Sequence, residues 1–235
     1  MSWFKPRLPV ADDEAEWLER NVAWLVDQFG MELVLGPVLR PGRDIPFEGE
    51  VHSLAGTRRL LAAVSGRMGV DTAAIDLEYV PEDDGPLPYV TKTSGAAGHY
   101  QEREGRPVIT IYGAERDGVV PLVATIAHEL AHVRLLGEGR VLADRRDGEP
   151  LTDLLTVVLG LGVFTANAAF DFAANNESWR TSRLGYLTEQ MFGYALARTA
   201  FLRGEVKPDW MADLDLNPRT YMKQAMRYLQ DTAGR

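Results

Sequence analysis

Two of the four histidines in this chain lie four residues apart, at His128 and His132. Four residues make slightly more than one turn of an α-helix, so both imidazoles would leave the helix on one face and could share a metal ion. Glu129 lies between them, where its carboxylate could take a proton from a water bound to that metal. This spacing indicates a metal-dependent hydrolytic site.

The surrounding residues predict the helix that this geometry requires. Pro121 lies near the expected helical start, and Gly137 follows the last residue of the apolar segment. The apolar residues that recur at helical spacing are Ile126, Leu130, Val133 and Leu136. The competing interpretation is a buried helix whose two histidines are satisfied by backbone groups.

A zinc site that contains two histidines needs a third protein ligand, with water or substrate in the fourth position. The chain contains no cysteine, so histidine, aspartate or glutamate must supply that ligand. The absence of cysteine also excludes disulfide bonds and thiolate ligands.

The residues from His128 to His132 form the HExxH pattern of zinc metallopeptidases, the zincins. With Glu149 and Asp153 at the start of a second apolar helical stretch, the chain resembles the gluzincin group over about residues 119–165. The resemblance implies that Glu149 is the third zinc ligand and that Asp153 holds one motif histidine through its free ring nitrogen. Pro150 disfavours a helical backbone at Glu149, but it falls in the first turn if Asp147 is the N-cap.

Glu138 is the alternative third ligand, because it lies ten residues after His128, where the metzincin group has its third ligand. That pattern requires a glycine at position 135, and this chain has Leu135 there. We therefore place Glu138 behind Glu149. The weaker acidic candidates in the linker are Asp144 and Asp147.

Amide hydrolysis also needs a hydrogen-bond donor for the oxyanion that forms during the reaction. The candidates are His99, Tyr186, Arg180 and Tyr194. We expect His99 on a hairpin that lines the cleft, and Arg180 in a polar segment, residues 175–180, that could face the site. The predicted catalytic residues are Glu129, His99 and Tyr186.

The composition is that of an ordinary globular protein. The 235 residues, 46% of them hydrophobic, predict one domain with parts at 1–70, 71–165 and 166–235, and the resemblance implies that this domain is zincin-like. A net charge of −9 without a basic stripe argues against a nucleic-acid partner. The N-terminus lacks an apolar signal core, so we expect a cytoplasmic protein. Asp153 and Asn167 interrupt the apolar stretch from residue 151 to 170, which predicts a buried helix, bent or closely packed at Gly160 and Gly162, rather than a membrane span.

The order of predicted elements gives the fold class, a predominantly helical α+β fold with a small mixed or antiparallel sheet before the HExxH helix. Helices are predicted at 12–29, 56–68, 184–203 and 218–230, a strand at 75–80, and a hairpin with strands at 99–103 and 108–112. Such a sheet precedes the motif helix in zincins, with its edge strand beside the cleft.

These patterns predict a zinc-dependent metallopeptidase or amide hydrolase that acts on a peptide or protein, with Zn²⁺ as cofactor. Two alternatives remain open: a catalytically silent zincin-fold scaffold or interaction protein, and an unrelated helical protein in which the motif is accidental.

Overall fold

The computed structural model describes residues 7–45, 51–81, 98–113, 118–175 and 186–233, with residues 170–175 described by their backbone only. The helices over these ranges are α1 (Asp12–Phe29), α2 (Met31–Val34), α3 (Leu54–Met68), α4 (Val119–His132), α5 (Gly148–Val158), α6 (Gly162–Asn175), α7 (Glu189–Leu202) and α8 (Leu216–Ala233). Short 3₁₀ turns occur at Thr72–Ala74 and Asp209–Asp213. The strands are β1 (Asp76–Pro81), β2 (Gly98–Arg103) and β3 (Arg106–Gly113). The prediction of a predominantly helical α+β fold is confirmed.

The sheet has three strands in the order β1-β3-β2, with β1 parallel and β2 antiparallel to β3. The predicted hairpin is present, and it turns at Glu104 and Gly105, which both have positive φ as a type I′ turn requires. The predicted strand before the hairpin is present as β1. Because β2 pairs with β3 alone among the described strands, it forms an edge of this sheet.

The helix with the histidine pair, α4, lies at the centre of the structure. It packs against α3, α5 and α6, and against the sheet through β2 and β3. Of the four residues predicted to form its apolar face, Ile126 and Leu130 are fully buried and Val133 nearly so, whereas Leu136 is only partly buried. Beyond His132 the chain continues as a wider π-helical turn, Val133–Gly137, a variation that sequence periodicity does not predict and that is frequent at functional sites.

The apolar stretch after the linker differs from its prediction. It is buried as expected, but it forms two helices rather than one, because α5 ends at Val158 and the chain turns at Gly160 with a φ of +76° before α6 begins. A positive φ is ordinary for glycine and strained for other residues. Gly162 permits the close packing that was expected, since a Cβ there would lie 2.8 Å from Leu196 on α7.

One described segment, Val119–Gly137, has the length and mean hydropathy of a membrane-spanning helix. Within its most apolar window, 67% of the helix is buried inside the protein. This is the character of a core helix, and the segment is the one that carries the histidine pair.

Candidate metal centre

The two histidines of α4 and a glutamate of α5 converge on one point. The Nε2 atom of His128 lies 3.0 Å from Glu149 Oε2, and the Nε2 atom of His132 lies 3.5 Å from the same oxygen. All three ligand atoms lie within 4.8 Å of one another. Four ligands at zinc's usual bond lengths are separated by about 3.3 Å, so these distances fit three corners of a tetrahedral zinc site.

The start of α5 brings Glu149 to the histidines. Asp147 occupies the N-cap position of α5, and Pro150 lies in the first turn, as predicted. The carboxylate of Asp147 does not cap the helix, because it accepts hydrogen bonds from Trp17 Nε1 at 2.8 Å and Arg145 Nε at 2.7 Å. These contacts connect the linker to α1 and hold the turn that precedes Glu149.

Asp153 contacts His128 through the ring nitrogen that does not face Glu149. Its Oδ1 atom accepts a hydrogen bond of 2.9 Å from Nδ1 of His128, which leaves the Nε2 atom of that ring directed toward Glu149. Its Oδ2 atom accepts a hydrogen bond of 3.0 Å from the backbone N–H of Leu187. The residue is buried, so both carboxylate oxygens are committed to protein donors and the orientation of His128 is set by a carboxylate–histidine pair.

His132 is held by two contacts of different kinds. Thr152 Oγ1 donates to the carbonyl of Gly148 at 2.9 Å and lies 3.5 Å from Nδ1 of His132, so it can only accept from that nitrogen. The ring of Tyr100, on β2, stacks on the His132 ring with centroids 6.0 Å apart. Both contacts leave the Nε2 atom of His132 on the side of Glu149.

Glu129 is a buried carboxyl group next to the cluster. It is 5% exposed, and its Oε2 atom has no hydrogen-bond partner among the described residues. Burial raises the pKa of Glu129, while His128 and His132 act in the opposite direction without cancelling the increase. A buried carboxyl oxygen without a partner is costly, and such groups are more frequent at functional sites than elsewhere in proteins.

Gly98 of β2 makes room for Glu129. A Cβ atom at this position would lie 2.7 Å from Glu129 Oε1 and 2.6 Å from Thr125 Cγ2, closer than side chains approach each other. The edge strand therefore contacts the motif helix through a residue without a side chain. Sequence analysis missed this role of Gly98 because the relevant neighbour lies on another element.

The electrostatics of the cluster are those of a cation site. Burial opposes a charge on His128, but hydrogen bonds to Asp153 and Glu149 outweigh it and raise the pKa of His128 well above its ordinary value. Burial also acts against a charge on Glu149, yet hydrogen bonds from both histidines lower the pKa of its carboxyl group strongly. The cluster thus keeps a carboxylate and favours a positive charge between its members.

Of the predicted oxyanion donors, Tyr186 lies beside the cluster. Its ring centroid is 5.4 Å from that of His128, and the side chain is 38% exposed. Burial, followed by repulsion from Glu149 and Asp153, raises the pKa of Tyr186 above its ordinary value, which keeps the phenol protonated as a donor. The backbone N–H of Leu187, the next residue, donates to Asp153, which also accepts a hydrogen bond from His128. Asp153 therefore contacts both the cluster and the segment that carries Tyr186.

The other predicted donors are not members of the cluster. Tyr194 is buried, and its hydroxyl donates to Glu19 on α1 at 2.7 Å, so the structure does not bring it into the cluster. His99 lies on β2 between Gly98 and Tyr100, and it is among the groups whose charge opposes the increase in the pKa of Glu129. Its catalytic role stays a prediction. Arg180 lies outside the described residues.

The alternative third ligand is committed to other partners. Glu138 accepts hydrogen bonds from Arg134 Nη1 at 2.6 Å and from Arg140 Nε at 2.7 Å, and it is not a member of the metal-binding group. Asp144 and Asp147 are also outside that group. Among the residues described, the geometry therefore favours Glu149.

A cavity of about 100 Å³ adjoins two of the three candidate ligands. Its walls include His132 and Glu149 together with Leu135, Val141 and Arg146. The cavity lies on the linker side of the candidate metal centre.

No family model, curated protein or solved structure matches this chain. The assignment of the centre therefore rests on its own donor set and geometry.

Proposed function

We propose that the protein is a zinc-dependent metallopeptidase or amide hydrolase, with His128, His132 and Glu149 as metal ligands and Glu129 as general base. The observation that carries this proposal is the convergence of three ligand atoms beside a buried carboxyl oxygen without a partner. When bound, zinc supplies Lewis acidity, which polarises a carbonyl group and acidifies water. A purely structural zinc site would need neither the general base nor an open position.

Glu129 is the residue that we propose to transfer protons during the reaction. Its carboxylate would take a proton from the attacking water and return it to the leaving amine. Burial raises the pKa of Glu129, which improves the match between this carboxyl group and the near-neutral pH at which an acid-base catalyst works best.

Tyr186 is the proposed donor to the substrate oxyanion. A tyrosine phenol is protonated at neutral pH, and burial together with three carboxylates raises the pKa of Tyr186 further. A donor of this kind is useful when it is already directed at the position where negative charge develops.

The proposed substrate is a peptide or a protein segment in an extended conformation. β2 is an edge of the described sheet, and it contacts the motif helix through Gly98 and Tyr100. An extended segment can pair with such an edge through main-chain hydrogen bonds. We further propose a cytoplasmic location and no nucleic-acid partner, as the acidic composition suggests.

The ligand assignment is tested by zinc stoichiometry after metal removal and reconstitution. We expect one zinc per chain in the wild-type protein and in Glu138→Ala, and loss of zinc in Glu149→Ala. Both substitutions truncate a glutamate within the same region, which makes the first variant a matched control. Zinc loss in Glu138→Ala with retention in Glu149→Ala would reverse the assignment.

The catalytic assignment is tested separately with Glu129→Gln. This variant should bind zinc like the wild-type protein and lose turnover of internally quenched peptides by at least about 100-fold, because the proton acceptor is removed and the shape is kept. Zinc binding by the wild-type protein without turnover of any peptide would instead support the silent zincin-fold scaffold.

A further inference from the structure

Two arginines that are distant from the histidines in sequence contact the same two turns, residues 34–37 and 158–160. We call Arg67, on α3, and Arg203, at the end of α7, the arginine pair. Arg67 is 8% exposed, and its Nε atom donates to the carbonyl of Pro37 at 2.6 Å. The Nη2 atom of Arg203 donates to the carbonyl of Val34 at 2.7 Å and lies 3.4 Å from that of Val158.

The contacts place both guanidinium groups against residues 34–37 and 158–160. A Cβ atom at Gly160 would lie 3.0 Å from Arg67 Nε, and one at Gly36 would lie 3.0 Å from its Cζ atom. Arg67 therefore fits between two turns that present backbone only. Arg203 reaches the same two turns through Val34 and Val158.

The arginine pair has more buried N–H donors than the described residues supply acceptors for. Arg67 Nη2, Arg203 Nε and Arg203 Nη1 are buried and have no hydrogen-bond partner among the residues that the structure describes. Each Nη carries two hydrogens and each Nε carries one, so these three atoms hold five N–H groups without an acceptor. Buried donors that lack a partner indicate an unseen water or ion.

The pair also has an excess of positive charge. Burial, and then repulsion from Arg203, lower the pKa of Arg67 to about 10, so the group is still protonated at neutral pH. Glu205 is the carboxylate that acts on Arg203, and its Oε2 atom accepts a hydrogen bond from Trp210 Nε1. No ion pair involves either arginine among the residues that the structure describes. Like charges in a low-dielectric interior are costly unless an anion compensates them.

We propose that the arginine pair binds a tetrahedral oxyanion of the phosphate class, held between the two guanidinium groups. A dianion would compensate two positive charges, and its several oxygen atoms could accept the five free N–H groups. Guanidinium groups match phosphate oxygens in pairs, whereas chloride offers no such geometry.

The site lies close to the protein surface. Leu35 is 47% exposed and Pro37 is exposed, and they flank Gly36, which has no side chain to cover Arg67. The three unpaired donor atoms are themselves buried, so an ion reaches the arginine pair only when this surface turn moves. A bound anion would connect residues 34–37, the α5–α6 turn and the end of α7.

The test measures phosphate binding to protein that has been stripped of metal with a chelator, so that phosphate cannot bind a metal instead. Isothermal titration should show one phosphate per chain. Phosphate at ten times its dissociation constant should raise Tm by about 3–5 °C relative to sodium chloride of equal ionic strength. Glycerol 3-phosphate distinguishes the source of the group, since comparable binding of this ester would indicate a phosphorylated ligand.

Two matched variants locate the binding site. Arg203→Met should weaken phosphate binding by at least about tenfold, because it removes one guanidinium fork. Arg227→Met removes the same charge from an exposed position of α8 and should bind phosphate like the wild-type protein.

Three results would overturn the proposal: no saturable binding by the wild-type protein, unchanged binding in Arg203→Met, or equal losses in both variants. If Arg203→Met does not fold, hydrogen exchange of the wild-type protein decides the matter. Phosphate should then slow exchange at amides in residues 34–37 and 158–161, and protection confined to other segments would contradict the site.

Discussion

Asp153→Asn should weaken zinc binding without removing any of the three metal ligands. The wild-type carboxylate accepts hydrogen bonds from His128 Nδ1 at 2.9 Å and from the backbone N–H of Leu187 at 3.0 Å. An asparagine of the same shape has one carbonyl oxygen and one amide nitrogen. Because both partners are donors, the amide nitrogen would face an N–H group whichever way the side chain is turned.

The size of the effect follows from this loss. One buried hydrogen bond to a charged group is removed, which costs about 1.5–3 kcal/mol. Substitution of a residue that orients a metal-binding histidine typically weakens metal affinity by about 10–100-fold, or about 1.4–2.7 kcal/mol. The loss of the hydrogen bond itself destabilises the fold with or without zinc, so the expected rise in the zinc dissociation constant of Asp153→Asn, about 10–100-fold, rests on the orientation of His128.

The assay is competition for zinc with a chromophoric chelator at pH 7, with circular dichroism to verify folding. Asp144→Asn is the matched control, since it makes the same chemical change at an exposed linker residue outside the metal-binding group. Zinc affinity of Asp153→Asn within twofold of the wild-type value, or an equal loss in Asp144→Asn, would refute the reasoning.

Three further predictions concern the catalytic residues and the linker. Gly98→Ala should keep zinc but reduce peptide turnover by at least about tenfold, because the new Cβ would lie 2.7 Å from Glu129 Oε1. The control is Gly66→Ala, where the new Cβ would have no neighbour within 4 Å. Tyr186→Phe should lower turnover by about 100-fold with little change in zinc affinity, and unchanged turnover would eliminate Tyr186 as the oxyanion donor. Hydrogen bonding to Arg145 lowers the pKa of Asp147 to about 2, so its stabilising contribution is complete above the unfolded pKa of about 3.9 and is lost as pH falls through the folded value. The free energy of unfolding of Asp147→Asn should therefore be lower than that of the wild-type protein at pH 7, and the difference between the two proteins should shrink between about pH 5 and 2. If urea titrations show a constant difference across this pH range, the role of the Asp147 carboxylate is contradicted.

The sequence alone determined the features that depend on neighbours within one turn or one hairpin. His128 and His132 share a face because helical periodicity requires it, and the boundaries of α1 were predicted to the residue. The hairpin was predicted from its two strands, and its turn lies at Glu104 and Gly105, between them. Glu149 was also identified correctly as a neighbour of the histidines, although a resemblance and not a physical rule pointed to it.

The tertiary structure alone decided which residues meet across elements. Gly98 and Tyr100 contact the motif helix only because β2 lies against α4, and Tyr194 is withdrawn from the site because α7 packs on α1 and brings Glu19 to its hydroxyl. The break at Gly160 and the arginine pair beneath it depend on how α3, α5 and α7 pack together. Hydrophobic burial drives such packing without specifying a sequence pattern, so contacts between distant residues emerge only when the whole chain is folded.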